Sequence, residues 1–349
     1  MAKKGKKQHV LVIRLSAMGD VAMLVPVLSN LVKSNPSLKV TLLTRAHFAP
    51  IFSSFSNVKI VEADVKGKHK GFFGLLMLYK ELRQLKITSV ADVHNVLRSN
   101  ILKFFFKTAG IPVAQIDKAR REKKALTRAK NKDFKQLKTT HQRYADVFGK
   151  LGFPINLNEA KFIDKQKLND KTIAVTGLKN QKWIGIAPFA AHKGKMYPLH
   201  LMEEVIAKLS GVEEYKILLF GGGSKEVKIL DNIENQYKND VISMAGNLSF
   251  VEELSIISNL DVMLSMDSGN GHLAANYGIP VITLWGVTHP YAGFAPFGQP
   301  KENALLADRK KHPLIPTSIY GNKFHEGYED VITSILPEYI INQIKKVLK

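Results

Sequence analysis

The 349-residue sequence has no cysteine, which excludes disulfides, thiolate metal centres and cysteine nucleophiles together. It also lacks any apolar run near the roughly 18 residues that a membrane-spanning helix needs. The amino terminus is basic over residues 1–7 and apolar over 10–15, but Arg14 interrupts that run and Asp20 follows it. The stretch is too short for a signal-peptide core, so a cytoplasmic protein is expected. Acidic residues are the scarce charge, 30 against 51 lysines and arginines, and the formal net charge of +21 favours polyanions: nucleic acid, anionic lipid or phosphorylated sugars. No RRM, KH or helix-turn-helix signature accompanies that charge. A nucleic-acid-binding protein is thus the weaker alternative class, and no nucleic-acid partner is expected.

What is present is a rhythm. Short apolar runs at 9–15, 39–44, 58–61 and 89–93 read as strands separated by amphipathic helices, and the pattern restarts at 183–187, 216–220, 241–243, 261–265 and 281–284. This is the βαβ alternation of parallel sheets covered on both faces, and the chain is long enough for two cores. The reading is α/β: an amino-terminal Rossmann-like domain over 1–165, a connection at 166–182, a second Rossmann-like domain over 183–328, and a terminal helix, 329–349, that could pack on either half, including back on the first domain. A helix-rich basic segment, 118–138, holds ten lysines and arginines against Glu122 and Asp133, a local charge of +8 (ten minus two).

Four strand-to-helix junctions carry chemistry. Arg14-Leu-Ser-Ala-Met-Gly19-Asp20 follows the first strand. In doubly wound folds ligands sit outside the carboxyl ends of strands, and a carboxylate is favoured at a helix start, so Asp20 is either a cap or a site residue. The turn does not match G-x-G-x-x-G, and a dinucleotide is not expected there. Met266-Asp267-Ser268-Gly269-Asn270-Gly271-His272 opens a small-residue helix, with Ser268 as its cap and free N–H groups from Gly269 onward suited to a diphosphate. Large side chains at 269 or 271 would obstruct phosphate, and His272 is either a ligand or a packing residue. The loop from Pro188 to Pro198 offers Lys193 and Lys195 beside Gly194, either to neutralise phosphate or as an exposed basic loop. Gly221-Gly-Gly-Ser-Lys-Glu226 adds a carboxylate for ribose hydroxyls or a solvated first-turn residue. The three second-half junctions share one sheet edge and together describe a nucleotide-diphosphate site.

With these motifs in order, the sequence resembles glycosyltransferase family 9, the ADP-heptose:lipopolysaccharide heptosyltransferases: S-x-M-G-D after the first strand, K-x-x-P in the 188–198 loop, and D-[ST]-G-x-x-H-L-A-A after the apolar run at 261–265. The resemblance implies a GT-B architecture with two parallel sheets facing a central cleft, the acceptor bound by the first domain and the donor by the second. It places the catalytic base at Asp20. Donor contacts fall on Lys193, Lys195, Glu226, Asp267, Ser268, Gly269 and His272, and acceptor contacts on Arg14, Arg98, Arg120 and Arg121. Ala190 and Ala191 stand where some members carry hydroxyl residues, leaving backbone N–H groups to substitute. The sequence has no D-x-D, so neither metal nor cofactor is expected. The implied function is inverting transfer of heptose from ADP-heptose to a lipopolysaccharide or lipooligosaccharide core acceptor, at the inner face of the inner membrane. Another nucleotide sugar is the alternative donor, and a nucleotide-binding module without catalysis the alternative role.

Overall fold

The computed structural model describes residues 8–237 and 240–349; the basic tract 1–7 lies outside the described residues. In chain order the first elements are β1 (His9–Ile13), α1 (Met18–Ala22), α2 (Val25–Ser34), β2 (Lys39–Thr44), β3 (Val58–Glu62), α3 (Gly71–Arg83), β4 (Ser89–Asp92), α4 (Leu97–Thr108), β5 (Val113–Gln115), α5 (Arg120–Thr127) and α6 (Thr140–Gly149). They are followed by α7 (Asp170–Thr176), β6 (Lys182–Ala187), α8 (Leu199–Ser210), β7 (Tyr215–Leu219), α9 (Ser224–Tyr237), β8 (Val241–Ser243), α10 (Phe250–Ile257), β9 (Val262–Met266), α11 (Gly269–Asn276), β10 (Val281–Trp285), β11 (Ala304–Leu306) and α12 (Pro337–Leu348).

Two compact units result. The first comprises Met1–Lys118 and Thr140–Ile163, and its parallel sheet has the order β3-β2-β1-β4-β5. Its central strands β1 and β4 are buried along their whole length, as continuous apolar runs in a doubly covered sheet must be. On one face, α3 and α4 bring Leu75, Leu78, Leu82, Leu102 and Phe106 onto Leu11, Ile13 and Val90. The order reverses between β1 and β4, whose register aligns Ile13 with Asp92.

The second unit comprises Ala119–Thr139 and Asp164–Lys349, with a sheet ordered β11-β10-β9-β6-β7-β8. Its reversal lies between β6 and β9, where Ala187 pairs with Ser265.

The structure sharpens three expectations. The terminal helix joins the second unit: Ile340, Ile341 and Ile344 of α12 enter the same core as Met202 and Val205 of α8. The connection contains α7, capped by the Asn169 side chain accepting from the Thr172 N–H, and Gln166 is fastened to Ser258 and Tyr277. Residues 119–139 also pack within the second unit, around Leu126, Leu137 and Ala292. Their placement is secured by Lys132, whose ammonium donates to the carbonyls of Leu126, Leu314 and Pro316. Burial, reinforced by nearby Arg309, pulls that amine down to about 8. No described helix is long and apolar enough to cross a membrane.

Candidate functional site

Each sheet presents a cation–carboxylate pair where its strand order reverses. In the first unit, β1 ends at Ile13 and the chain turns into α1. Asp20 occupies the third helical position rather than the cap, and its carboxylate is 3.4 Å from the Ala17 N–H. Its close partner is Arg14, with Nη2 2.6 Å from Oδ2. Arg14 is buried, donates to the Val93 carbonyl at 2.7 Å, and lies 5.7 Å from the centre of the Tyr144 ring. Tyr144, fully buried on α6, donates its hydroxyl to the Asp20 carbonyl. Burial raises the Tyr144 hydroxyl well above the ordinary phenol range, so it stays a donor at neutral pH.

The arginine expected to contact the acceptor therefore lies beneath the carboxylate, and its contacts hold Asp20 in place. Asp20 keeps 31 % of its side chain exposed against 7 % for Arg14, so the carboxylate is the member that a ligand can reach. His94, which the sequence reading missed, sits across the reversal after β4, with Nε2 3.4 Å from the Ser16 hydroxyl. Burial first, then the Arg14 charge, lowers its imidazole to about 4. Its isolation in the sequence gave no signal. It is neutral near pH 7 and largely covered, whereas the Asp20 carboxylate keeps part of its surface exposed.

In the second unit, Lys195 ends a short turn after β6, and its ammonium is 2.7 Å from Asp267 Oδ2 while donating to the Asp267 carbonyl at 3.2 Å. The exposure is reversed: 15 % for the lysine side chain, 5 % for the aspartate. Three glycines shape this approach. A Cβ on Gly194 would meet Val287 at 2.6 Å and the Gly321 carbonyl at 2.7 Å; one on Gly286 would meet the Gly194 carbonyl at 2.7 Å. Gly321, with φ +77°, leaves room for the Lys195 stem, which an added Cβ would strike at 2.5 Å. Gly286 and Gly321 lie outside the recognised motifs, and only folding brings them to Lys195.

α11 begins beside this pair. Ser268 holds the cap position with an extended backbone, but its hydroxyl makes no cap hydrogen bond and is buried without a partner among the described residues. The cap expected of Ser268 is absent, so its hydroxyl does not satisfy the first N–H groups of α11. Gly271 has a packing reason of its own to be small: a Cβ there would strike the Ser265 hydroxyl at 2.6 Å, so it serves helix-to-strand packing. His272 is buried one turn into the helix. Lys193 is exposed, the Ala190 N–H is directed at the Met196 sulfur 2.9 Å away, and Glu226 accepts from the Gly222 N–H at 2.8 Å.

Of the remaining expected acceptor residues, Arg98 is exposed in the first turn of α4, while Arg120 and Arg121 are exposed on α5 of the second unit. The basic segment is not a uniformly solvated face. Lys132 is committed to three carbonyls, and Lys123 lies 4.1 Å from the centre of the Phe294 ring.

The profile of glycosyltransferase family 9 (heptosyltransferase) matches residues 75–321. Over 349 aligned positions the chain is 24% identical to the lipopolysaccharide core heptosyltransferase OpsX of Haemophilus influenzae, covering 96% of both chains. It is 25% identical to lipopolysaccharide heptosyltransferase 1 of Campylobacter coli, covering 97% of this chain and 98% of the other. A glycosyl transferase family 9 structure from Veillonella parvula superposes with a TM-score of 0.75 at 18% identity, covering 100% and 99% of the two chains. E. coli heptosyltransferase WaaC with ADP gives a TM-score of 0.67 at 18% identity, over 97% of this chain and 100% of that one. Residues 75–321 are more than half of the sequence, and on that match the chain belongs to glycosyltransferase family 9 and is a glycosyltransferase of GT-B architecture.

Proposed function

We propose that the chain moves a heptose from ADP-heptose to a lipopolysaccharide or lipooligosaccharide core acceptor, with inversion and without a divalent metal. The observation that carries this reading is the opposite exposure of the two ion pairs: the carboxylate side chain is the more exposed member at the first reversal and the lysine side chain at the second. The names of the curated relatives supply the sugar and the acceptor.

The Asp20 carboxylate removes the proton of the acceptor hydroxyl as that oxygen attacks the anomeric carbon. The bond from that carbon to the diphosphate breaks, the nucleoside diphosphate leaves with the electron pair, and Asp20 later releases the proton to solvent. Charge gathering on the leaving oxygens is met by Lys195, by Lys193, and by the N–H groups that open α11. The Ser268 hydroxyl is free to donate to the same oxygens, and the Glu226 carboxylate to accept from the ribose. Arg14 holds Asp20 in place rather than binding acceptor. Arg98, Arg120 and Arg121 remain the acceptor's cationic contacts, and the lipid-linked acceptor places the enzyme at the inner face of the inner membrane.

A thermal-shift panel of ADP-, GDP- and UDP-sugars tests the donor. A ligand at a hundred times its Kd stabilises the native state by about 2.7 kcal/mol, so a selective rise in Tm with ADP-heptose is expected. A rise with another nucleotide sugar alone would overturn the choice of donor. Release of nucleoside diphosphate that depends on a core acceptor and is unaffected by chelator is the expected transfer readout; inhibition by chelator would contradict the metal-free mechanism.

A further inference from the structure

Large apolar side chains exposed in the first unit gather on two neighbouring helices. On α3, Phe72 is 54%, Phe73 82% and Met77 45% exposed; on α4, Leu97 is 76% and Phe104 61% exposed. Phe73 and Met77 are one helical turn apart, and Leu97 and Phe104 are two, so each pair shares a face. The rings form a continuous surface: Phe72 is 5.8 Å from Phe73 and 5.6 Å from Phe105, and Phe105 is 6.0 Å from Phe104. The opposite faces of the same helices carry Leu75, Leu78, Leu82, Leu102 and Phe106 into the core. These helices are thus apolar on the side that needs no partner for folding, which is the pattern of an interaction site.

The surroundings select the partner. Lys66, Lys70, Lys80, Arg83, Arg98 and Lys107 are exposed on and beside α3 and α4. Of the acidic residues over 66–108, Glu81 is paired with Lys68 and Asp92 is buried against Lys103. Exposed phenylalanines within a lysine and arginine rim fit an anionic bilayer, with rings entering the acyl boundary and ammonium groups at the phosphates. A second copy of this chain would bring an equally cationic rim and another +21 net charge, so self-association through this face opposes like charges.

We propose that the α3–α4 face is a membrane-docking surface that inserts Phe72, Phe73 and Phe104 into an anionic lipid leaflet. The proposal deepens the reading of a lipid-linked acceptor, on which it rests for its purpose, by naming the surface that meets the lipid. Placement supports it. In a parallel α/β sheet helices begin at the strands' carboxyl edge, so Phe72, Phe73 and Leu97, at the starts of α3 and α4, lie along the edge that carries Asp20. The sequence after β4 runs from His94 directly into this face at Leu97. Docking here brings the edge bearing the base to the leaflet that holds the acceptor.

The test is co-sedimentation of the full chain with phosphatidylglycerol-containing vesicles and with phosphatidylcholine vesicles, comparing wild type with Phe73→Ser/Phe104→Ser. Both phenylalanines are largely exposed, so the fold should survive, and an unchanged Tm would verify it. The wild type is expected to partition onto the anionic vesicles, less so at high salt, and the variant to lose about tenfold or more in partition coefficient. Met77→Ser is expected to lose less. Equal partition of variant and wild type overturns the proposal, as does a wild-type dimer that the double substitution converts to monomer, which would give the face to a second copy. Transfer to a lipid-free, water-soluble core acceptor is expected to be the same for both proteins. It judges the proposed activity separately, since it can fail while vesicle binding stands.

Discussion

The two sheets place the same device at the same topological point and use it in opposite senses. At the β1/β4 reversal the carboxylate is the more exposed member of its pair; at the β6/β9 reversal the lysine side chain is the more exposed member. A buried charge must be paired, so the covered member of each pair fixes the open one and leaves its free side for a ligand. The accessible member then sets the chemistry: a carboxylate can take a proton, and an ammonium can stabilise a leaving phosphate. A crevice at a strand-order reversal is general to the fold, and the proposed roles, base at one and anion site at the other, follow from which side chain is the more exposed.

The largest effect should come from breaking the first pair on its open side. Asp20→Asn is expected to lower kcat by roughly 10² to 10⁴, the range of lost general-base assistance, in a protein that still folds. Near-normal transfer would leave Asp20 a structural partner of Arg14 only.

A pH titration sharpens the comparison, because each unit buries a histidine whose imidazole is lowered strongly. His94 in the first unit and His289 in the second are each lowered to about 4, by burial first and then by neighbouring cations. With folded values below the unfolded value near 6.5, the unfolded chain binds more protons between those limits. Stability is therefore whole above about pH 6.5 and is lost as pH falls toward 4, by about 3 kcal/mol per histidine if fully expressed. Chemical denaturation across that window should show the loss, and His94→Gln should remove its share. A pH-independent profile would contradict the burial of both rings.

On the second side, Lys195→Ala is expected to weaken productive donor binding by about 1.5 to 3 kcal/mol, read as a ten- to hundredfold fall in kcat/KM for the donor. An unchanged value would place Lys195 outside the reaction. Smaller still is the contribution of the exposed cations on α5. Neutralising Arg120, Arg121 and Lys124 should raise the acceptor KM at low salt by at most about 1 kcal/mol per charge and leave the donor KM unchanged. An unchanged acceptor KM and salt dependence would remove α5 from the acceptor contacts.

Nine of the strands were legible as apolar runs, because parallel strands buried on both faces leave an uninterrupted signal. β5 and β11 were not: both are three-residue edge strands that stay half open to solvent, whereas the equally short edge strand β8 is mostly buried and keeps its apolar signal. The Asp20, Lys195 and Gly269 junctions were legible because each follows a strand end and couples glycine to charge. What escaped depends on contacts distant in sequence: Arg14 turning inward to Val93, His94 facing Ser16, and Gly321 backing Lys195 from 126 positions away (321 minus 195). Residues 119–139 escaped for the same reason. Their charge suggested acceptor contacts on the first domain, while Lys132 finds its three carbonyls only in the folded chain.

The division of roles between the two pairs is tested most directly by measuring ADP binding calorimetrically to Asp20→Asn and Lys195→Ala side by side. ADP carries the leaving group without the acceptor, so its affinity should be unchanged by Asp20→Asn and reduced about ten- to hundredfold by Lys195→Ala. Equal losses in both variants, or a loss confined to Asp20→Asn, would contradict the assignment of base to the first reversal and phosphate to the second.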